Sequence, residues 1–524
     1  LNKKNNLTFL IGILYILPAL TESAEILMVF NAVSKSHYIL GEALGIALAD
    51  NGHKVTMVSP FKRAENHTNY KEIVLEGLIE KSLSAMYNFE TSELSALGMI
   101  NYIFDLRNKF AELTMQHPEI QKLVNSNQKF DLFITEFNLN ECIFGLGYHF
   151  QTINIVFSTI GSNYFTDEMV GLLKSPAQEP NIILGYSLPM SYMQRVVNTL
   201  FHIAFDYLDR SRLKHQELLF EQYFRPSPDG SQLPTLKDLY RNFSLILLNN
   251  NVAVSKPTAQ FPNMINVGGL HIKLQKLPKD LQKIMDQSTE GVLLFSMGGN
   301  LKSSKIPKDI LNVILKCLGK IKQTVLWKWE DEHLPNKPEN VIIRKWLPQQ
   351  DILAHNNTVA FITHGGMLSK IEAIYFGVPL LGIPVLGDQF MNVADAVHDG
   401  IAVSVDINKL NELLFDEALN NILNNSSYGQ RARELSAIFR DSPETPLQRA
   451  VNSIEFILRH KGAPFLRPPV KDMPMYQVLL LDVFSGVIFI FIVIVCLIYY
   501  IIKTISITKK IANIKRIGKS KKMS

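Results

Sequence analysis

Cysteine is scarce in this sequence, with only Cys142, Cys317 and Cys496 among 524 residues. Three thiols close at most one disulfide, so no disulfide framework staples the fold, and no zinc-type spacing is present. No Asp-x-Asp occurs in a plausible loop, so no retained metal is expected. An excess of positive charge is also missing from the body of the chain. The net charge is +5, but residues 503–524 hold eight Lys and Arg and no acid; subtracting that +8 from +5 leaves −3 for the remainder. By charge, the body is therefore not a nucleic-acid binder. Apolar residues make up 47 % of the chain and charged ones 19 %, which excludes a disordered class. A length of 524 predicts two or three domains with sizeable cores.

The long hydrophobic runs stand at the two ends. Lys3-Lys4 precedes an apolar run from Leu7 to Leu20, and small residues follow at Ser23-Ala24. That order reads as a secretory leader over residues 1–24, with the mature chain starting near Ala24 or Glu25. At the other end Val483 to Ile502 is uncharged. At about 1.5 Å per residue, such a helix spans a bilayer core of roughly 30 Å. Tyr499-Tyr500 marks its end and the basic tail follows, which puts the tail in the cytoplasm and everything before the helix in the lumen. The terminal Lys521-Lys522-Met523-Ser524 resembles the dilysine retrieval signal of endoplasmic-reticulum membrane proteins. Sequons at Asn66, Asn242, Asn356, Asn424 and Asn425 suit a luminal body.

Between these ends, strands alternate with helices. Glu25–Phe30 reads as a strand, residues 33–38 as a turn, Ile39 to Asn51 as a helix and Lys54–Ser59 as the next strand. This βαβ unit implies a parallel sheet with a ligand crevice at the carboxyl ends of its strands, where His37 lies. Phe130–Glu136, Thr152–Ser158 and Phe243–Asn249 read as further strands, and residues 60–125 and 160–235 as amphipathic helices whose apolar stripes suit either a pocket or ordinary core packing. A second sheet starts at Gly291–Met297 and turns at Gly298-Gly299-Asn300. It continues through Thr324–Trp329, Val341–Trp346, the run ending at Thr363-His364, and Ile401–Asp406. Helices are expected near Lys308–Ile321, Asn411–Leu423 and Tyr428–His460. The Gly365-Gly366 turn feeds a helix N-terminus after a parallel strand, an arrangement that offers N–H donors and a positive dipole end to a phosphate.

The run WLPQ from Trp346, FITHGG from Phe361, EAIYFGVP from Glu372 and GIPVLGDQ ending at Gln389 resembles the signature of the UDP-glycosyltransferase family, which contains the UDP-glucuronosyltransferases. The variant HGGMLSKIEA is similar to the invertebrate branch. The resemblance covers nearly the whole chain. It implies an α/β GT-B fold, two Rossmann-like domains facing a cleft, with a C-terminal transmembrane helix added. The expected plan is an acceptor domain over 25–275, a UDP-sugar domain over 285–450, a return helix and linker over 451–482, the membrane helix over 483–502 and a cytoplasmic tail over 503–524.

What the resemblance implies for chemistry is specific. His37, in Lys35-Ser36-His37-Tyr38 where the family usually has Gly first, is the general base. A carboxylate ending the strand, Glu136 or its competitor Glu141, orients it. Ser296 and Gly298 belong to the first phosphate turn, in which Gly299 replaces the usual Ser. Lys328 stands where vertebrate members often carry Arg, and Leu368 where they carry Asn. Trp346 stacks on uracil and Gln349 fixes the nucleoside. His364 and Gly366 hold the diphosphate, Glu372 takes the ribose hydroxyls, and Asp388 and Gln389 bind the transferred sugar. The co-substrate is a UDP-sugar, glucose or glucuronate, with no tightly bound cofactor. The partner is a small lipophilic acceptor, and the protein itself is expected in the endoplasmic-reticulum membrane, held by its one C-terminal helix. A catalytically weak lipophile-binding relative and a lipid (ceramide-type) glycosyltransferase share the pattern. The sequence leaves a homo-oligomer open.

Overall fold

Val, Ile, Leu and Phe crowd into short runs, and in the computed structural model these runs are strands of two parallel sheets. The structure describes residues 23–83, 89–138, 140–173, 175–225 and 232–520. The leader up to residue 22 and the final Lys521-Lys522 lie outside the described residues.

The first sheet is built from β1 (Glu25–Val29), the helix α1 (Lys35–Asp50), β2 (Lys54–Ser59), β3 (Tyr70–Val74), α2 (Ala96–Met115), β4 (Leu132–Glu136), β5 (Ile153–Ser158), α3 (Tyr192–Tyr223), β6 (Leu245–Leu248) and β7 (Met264–Asn266). Its strand order is β3-β2-β1-β4-β5-β6-β7. The order reverses between β1 and β4, so the crevice of this half opens at their carboxyl ends.

The second sheet contains β8 (Val292–Ser296), β9 (Thr324–Lys328), β10 (Val341–Arg344), β11 (Thr358–Thr363), β12 (Leu380–Gly382) and β13 (Ala402–Ser404), with α4 (Met367–Phe376) and α5 (Gln389–His398) on either side of β12. The order β10-β9-β8-β11-β12-β13 reverses between β8 and β11. Three helices follow: α6 (Glu412–Asn424), α7 (Ser426–Arg440) and α8 (Pro446–Arg459). Ala450, Val451, Ile454 and Ile457 of α8 share a buried cluster with Leu44 and Leu48 of α1 and Leu245 and Leu247 of β6. The chain thus returns from the second sheet to close the core of the first half.

Both halves belong to one compact unit ending at Arg467, and Pro468–Ser524 forms another. Within the first unit, polar contacts join the halves. Asn300 Nδ2 donates to Ser34 Oγ at 3.0 Å, Ser92 Oγ to Asn408 Oδ1 at 2.9 Å, and Lys256 pairs with Asp399. The second unit contains α9 (Leu481–Ser520), a helix long and apolar enough to cross a membrane. Its most apolar stretch has a mean hydropathy of 3.0 and is not buried.

Several expectations need correction. The helix expected over 428–460 is two helices, because Thr445 caps a new one with Pro446 in its first turn. Proline lacks the N–H that a continuous helix would need there, but suits an N-terminus. The stretch 60–125, read as helical, contains β3. As an edge strand with a half-exposed, polar composition (YKEIV), β3 lacks the apolar run that marks the buried strands. The three-residue β7 was too short for periodicity to register. The helix after β1 starts at Lys35, not Ile39, so His37 lies in its first turn rather than in a loop.

Candidate active site

β1 and β4 are hydrogen-bonded neighbours, so whatever follows β1 lies over the end of β4. Ser34 adopts an extended N-cap conformation and starts α1, which sets His37 above Glu136, the last residue of β4. Glu136 is fully buried, and its two oxygens are both committed. Oε1 accepts the Ala32 N–H at 2.5 Å, and Oε2 lies 2.5 Å from His37 Nδ1. Thr159 Oγ1, just past β5, is 3.3 Å from Nδ1 and 3.4 Å from Nε2. A carboxylate can only accept, so Nδ1 carries a hydrogen, and in the neutral ring that tautomer leaves the lone pair on Nε2. His37, 17 % exposed, lines the cleft.

Glu141 does not share this site. It is buried against α3, where Arg212 grips its two oxygens at 2.5 and 2.7 Å and also donates to Asp209 at 2.7 Å. Burial pushes the Asp209 carboxyl up to about 6, against the pull of Arg212.

In the second half, the turns after β8 and β11 meet at the other switch point. Ser296 Oγ accepts the Gly298 N–H at 3.2 Å, bracing the first turn. Gly298 has φ +79°, and a Cβ there would stand 2.4 Å from His364 Cε1; one on Gly366 would stand 2.7 Å from Nε2. The imidazole is therefore clasped between two glycines that no side chain could replace without displacing it. At Gly299 a Cβ would meet only Lys35, at 3.8 Å, so the family's usual Ser fits. Lys328 donates to the Gly298 carbonyl at 2.5 Å and buttresses the turn from beneath. Gly366 is the N-cap of α4, whose first-turn N–H groups and positive dipole end line the cleft beside His364.

Burial, and secondly the charge of Lys328, hold His364 down at about 4, so its ring is neutral at pH 7 and donates one N–H. Unfolding returns it to about 6.5, so the unfolded chain binds more protons between pH 6.5 and 4. Stability must then fall as pH drops through that window. His364→Gln keeps a donor without titrating. Relative to that variant, wild-type thermal stability should decline from pH 6.5 to 4. Parallel profiles would show that the ring is solvated.

Trp346, 66 % exposed, stands at the cleft rim. Gln349 Nε2 donates to Glu372 Oε2 at 2.6 Å, while Gln350 and His271 donate to Oε1 at 3.0 Å each. Glu372 is thus positioned by three protein donors, which leaves about one of its roughly four acceptor sites for a ribose hydroxyl. Asp388 lies across the cleft from His37. Burial raises its carboxyl, while the Asn392 amide at 2.7 Å and the nearby His37 pull it down. Gln389 Oε1 accepts from the Val385 and Leu386 N–H groups at 2.9 and 3.0 Å, fastening the loop that presents Asp388. Sequence reasoning missed His271, Gln350, Thr159 and Asn392. His271 is 101 residues from Glu372 in the chain, and no local pattern announces such a pair.

His37, Thr159, Ser296, Gly298, Lys328, Trp346, Gln349, His364, Gly366, Glu372, Asp388 and Gln389 line one cleft of about 610 Å³ formed by both halves, a size suited to small-molecule ligands. A family model described as UDP-glucoronosyl and UDP-glucosyl transferase matches residues 21–519. The UDP-glycosyltransferase UGT5 of Dactylopius coccus is 36 % identical over 92 % of this chain and 92 % of its own. Human UDP-glucuronosyltransferase 1A9 is 30 % identical over 88 % of each. Human 2-hydroxyacylsphingosine 1-beta-galactosyltransferase is 31 % identical over 88 % of this chain and 85 % of its own. Among solved structures, TcCGT1 in complex with UDP superposes with a TM-score of 0.56 over 84 % of this chain and 100 % of that one, at 15 % identity. The glycotransferase of kitacinnamycin gives 0.54 over 83 % and 99 %, at 17 % identity. The chain belongs to the UDP-glucoronosyl and UDP-glucosyl transferase family, as a hexosyltransferase of GT-B fold that uses a UDP-sugar as co-substrate rather than a tightly bound cofactor.

Proposed function

We propose that this enzyme transfers glucose from UDP-glucose to a hydroxyl of a small lipophilic acceptor, inverting the anomeric centre to a β-glycoside. The observation that carries the reading is the His37–Glu136 pair on one wall of the cleft, facing the glycine-clasped His364 and the N-terminus of α4 on the other. His37 Nε2 takes the acceptor proton as the oxygen attacks the anomeric carbon, and UDP leaves from the opposite face. Glu136 holds the reactive tautomer and stabilises the imidazolium that forms. The α4 amides and His364 meet the diphosphate, Ser296 and Gly298 shape its turn, and Trp346 and Gln349 receive the nucleoside. Glu372 approaches the ribose, and Asp388 and Gln389 take the sugar hydroxyls.

Asp388 favours glucose over glucuronate, since a carboxylate beside it would be repelled. The relatives named above include a glucuronosyltransferase and a galactosyltransferase, and competition between donors decides the assignment. Membranes containing the protein, given equal UDP-glucose and UDP-glucuronate and a small phenol, should form mainly the glucoside. Predominant glucuronide would reverse the donor assignment. The helix α9 serves as a single anchor in the endoplasmic-reticulum membrane, with the two sheets luminal. That orientation agrees with the basic tail and the sequons.

A further inference from the structure

The acceptor side of the cleft has apolar walls formed by Ile100 and Phe104 of α2, Phe137, Phe165, Ile183 and Phe205. Polar residues interrupt those walls, among them Arg107, Asn138 and Glu179. The Arg107 side chain has no hydrogen bond or ion pair among the described residues. A charged guanidinium lining an apolar cleft without an acceptor calls for a ligand that pairs it.

Arg107 is the most informative. It follows Ile100, Ile103 and Phe104 on one face of α2, one turn beyond Phe104. On the same face Thr114 accepts a hydrogen bond from Asn31, next to the Ala32 that donates to Glu136. Seven residues of helix at about 1.5 Å each put Arg107 roughly 10 Å from that level, about the length of a two-ring acceptor. No carboxylate among the described residues pairs with its guanidinium within 4.0 Å. The neighbouring Arg212, by contrast, has two. A permanently charged fork in an apolar pocket matches a carboxylate better than any neutral group. Glu179 also lines the cleft, in a loop whose backbone carbonyl is bound by Asn198 and by His202 of α3. Its carboxylate would repel an acid and accept a second hydroxyl, so it orients the ligand's acid toward Arg107.

We infer that the natural acceptor is a lipophilic hydroxy acid whose carboxylate pairs with Arg107 while its hydroxyl reaches His37. The inference rests on the transfer reading above and adds the acceptor class to it.

The test uses 6-hydroxy-2-naphthoate and its methyl ester as acceptors for the full-length protein in membranes, scoring glycoside at the phenolic oxygen. Wild type should use the acid with the higher kcat/KM. Arg107→Gln should cost the acid about 10- to 100-fold, the range for one charged hydrogen bond, and leave the ester unchanged. Arg107→Lys should recover part of the loss. An acid no better than its ester in wild type, or equal losses for both in Arg107→Gln, would overturn the inference. Binding of the two compounds in the presence of UDP, read by their fluorescence, separates this from failure of the transfer reading. Acid-selective binding that Arg107→Gln abolishes supports Arg107 even without turnover. Indifferent binding overturns it.

Discussion

His37→Ala should lower turnover by about 10²–10⁴-fold, the usual contribution of a positioned general base, and leave UDP affinity unchanged. The two effects separate because the imidazole stands on the wall formed by the first sheet, whereas the nucleotide groups stand on the second. His37 is in the first turn of an otherwise well-buried helix, and its ring is not part of a core cluster, so the truncation should leave the fold intact. The check is kcat together with UDP affinity by calorimetry on the same preparation. Near wild-type kcat would remove His37 from the chemistry, and joint loss of both would point to a collapsed cleft.

The second large effect is expected from Glu136→Gln. A glutamine keeps the volume and an acceptor for the Ala32 N–H, but can present an N–H to His37 Nδ1. The imidazole would then carry its hydrogen on Nε2, facing the acceptor with a donor where a base is needed. Turnover should fall by about 10²–10⁴-fold with the fold preserved, since the tautomer rather than the packing is lost. Glu141, the rival in sequence, should behave otherwise. Glu141→Ala removes one of the two carboxylates that neutralise the buried Arg212 guanidinium and should cost about 3 kcal/mol of stability, while any folded fraction retains its kcat. Thermal melts and active-site-normalised rates for both variants distinguish the two outcomes. Equal rate losses per folded molecule would mean that Glu141 also orients the base.

The two parallel sheets were legible because buried parallel strands read as apolar runs of four to six residues, and Gly-Gly after such a run marks a turn. His37 and Glu136 were each readable as strand-end residues. That they meet follows only from the pairing of β1 with β4, which one-dimensional patterns do not encode. The departures have the same origin. The edge strand β3 is too polar and β7 too short to stand out. The break before Pro446 hides inside a continuous helical periodicity. Glu372 was assigned to ribose hydroxyls by resemblance alone, and the three donors from residues 271, 349 and 350 that reach it show only in the fold. No pattern in the sequence singles out Arg107. Only the folded cleft shows it to be unpaired among the described residues.

The most direct test of a donor wall facing a basic imidazole is a structure of the full-length protein with UDP and a phenolic acceptor bound. The account predicts the diphosphate against the Gly366–Leu368 amides and His364, and the acceptor oxygen within about 2.6–3.2 Å of His37 Nε2. UDP bound away from the Gly298 and Gly366 turns, or His37 turned from the acceptor, would contradict it.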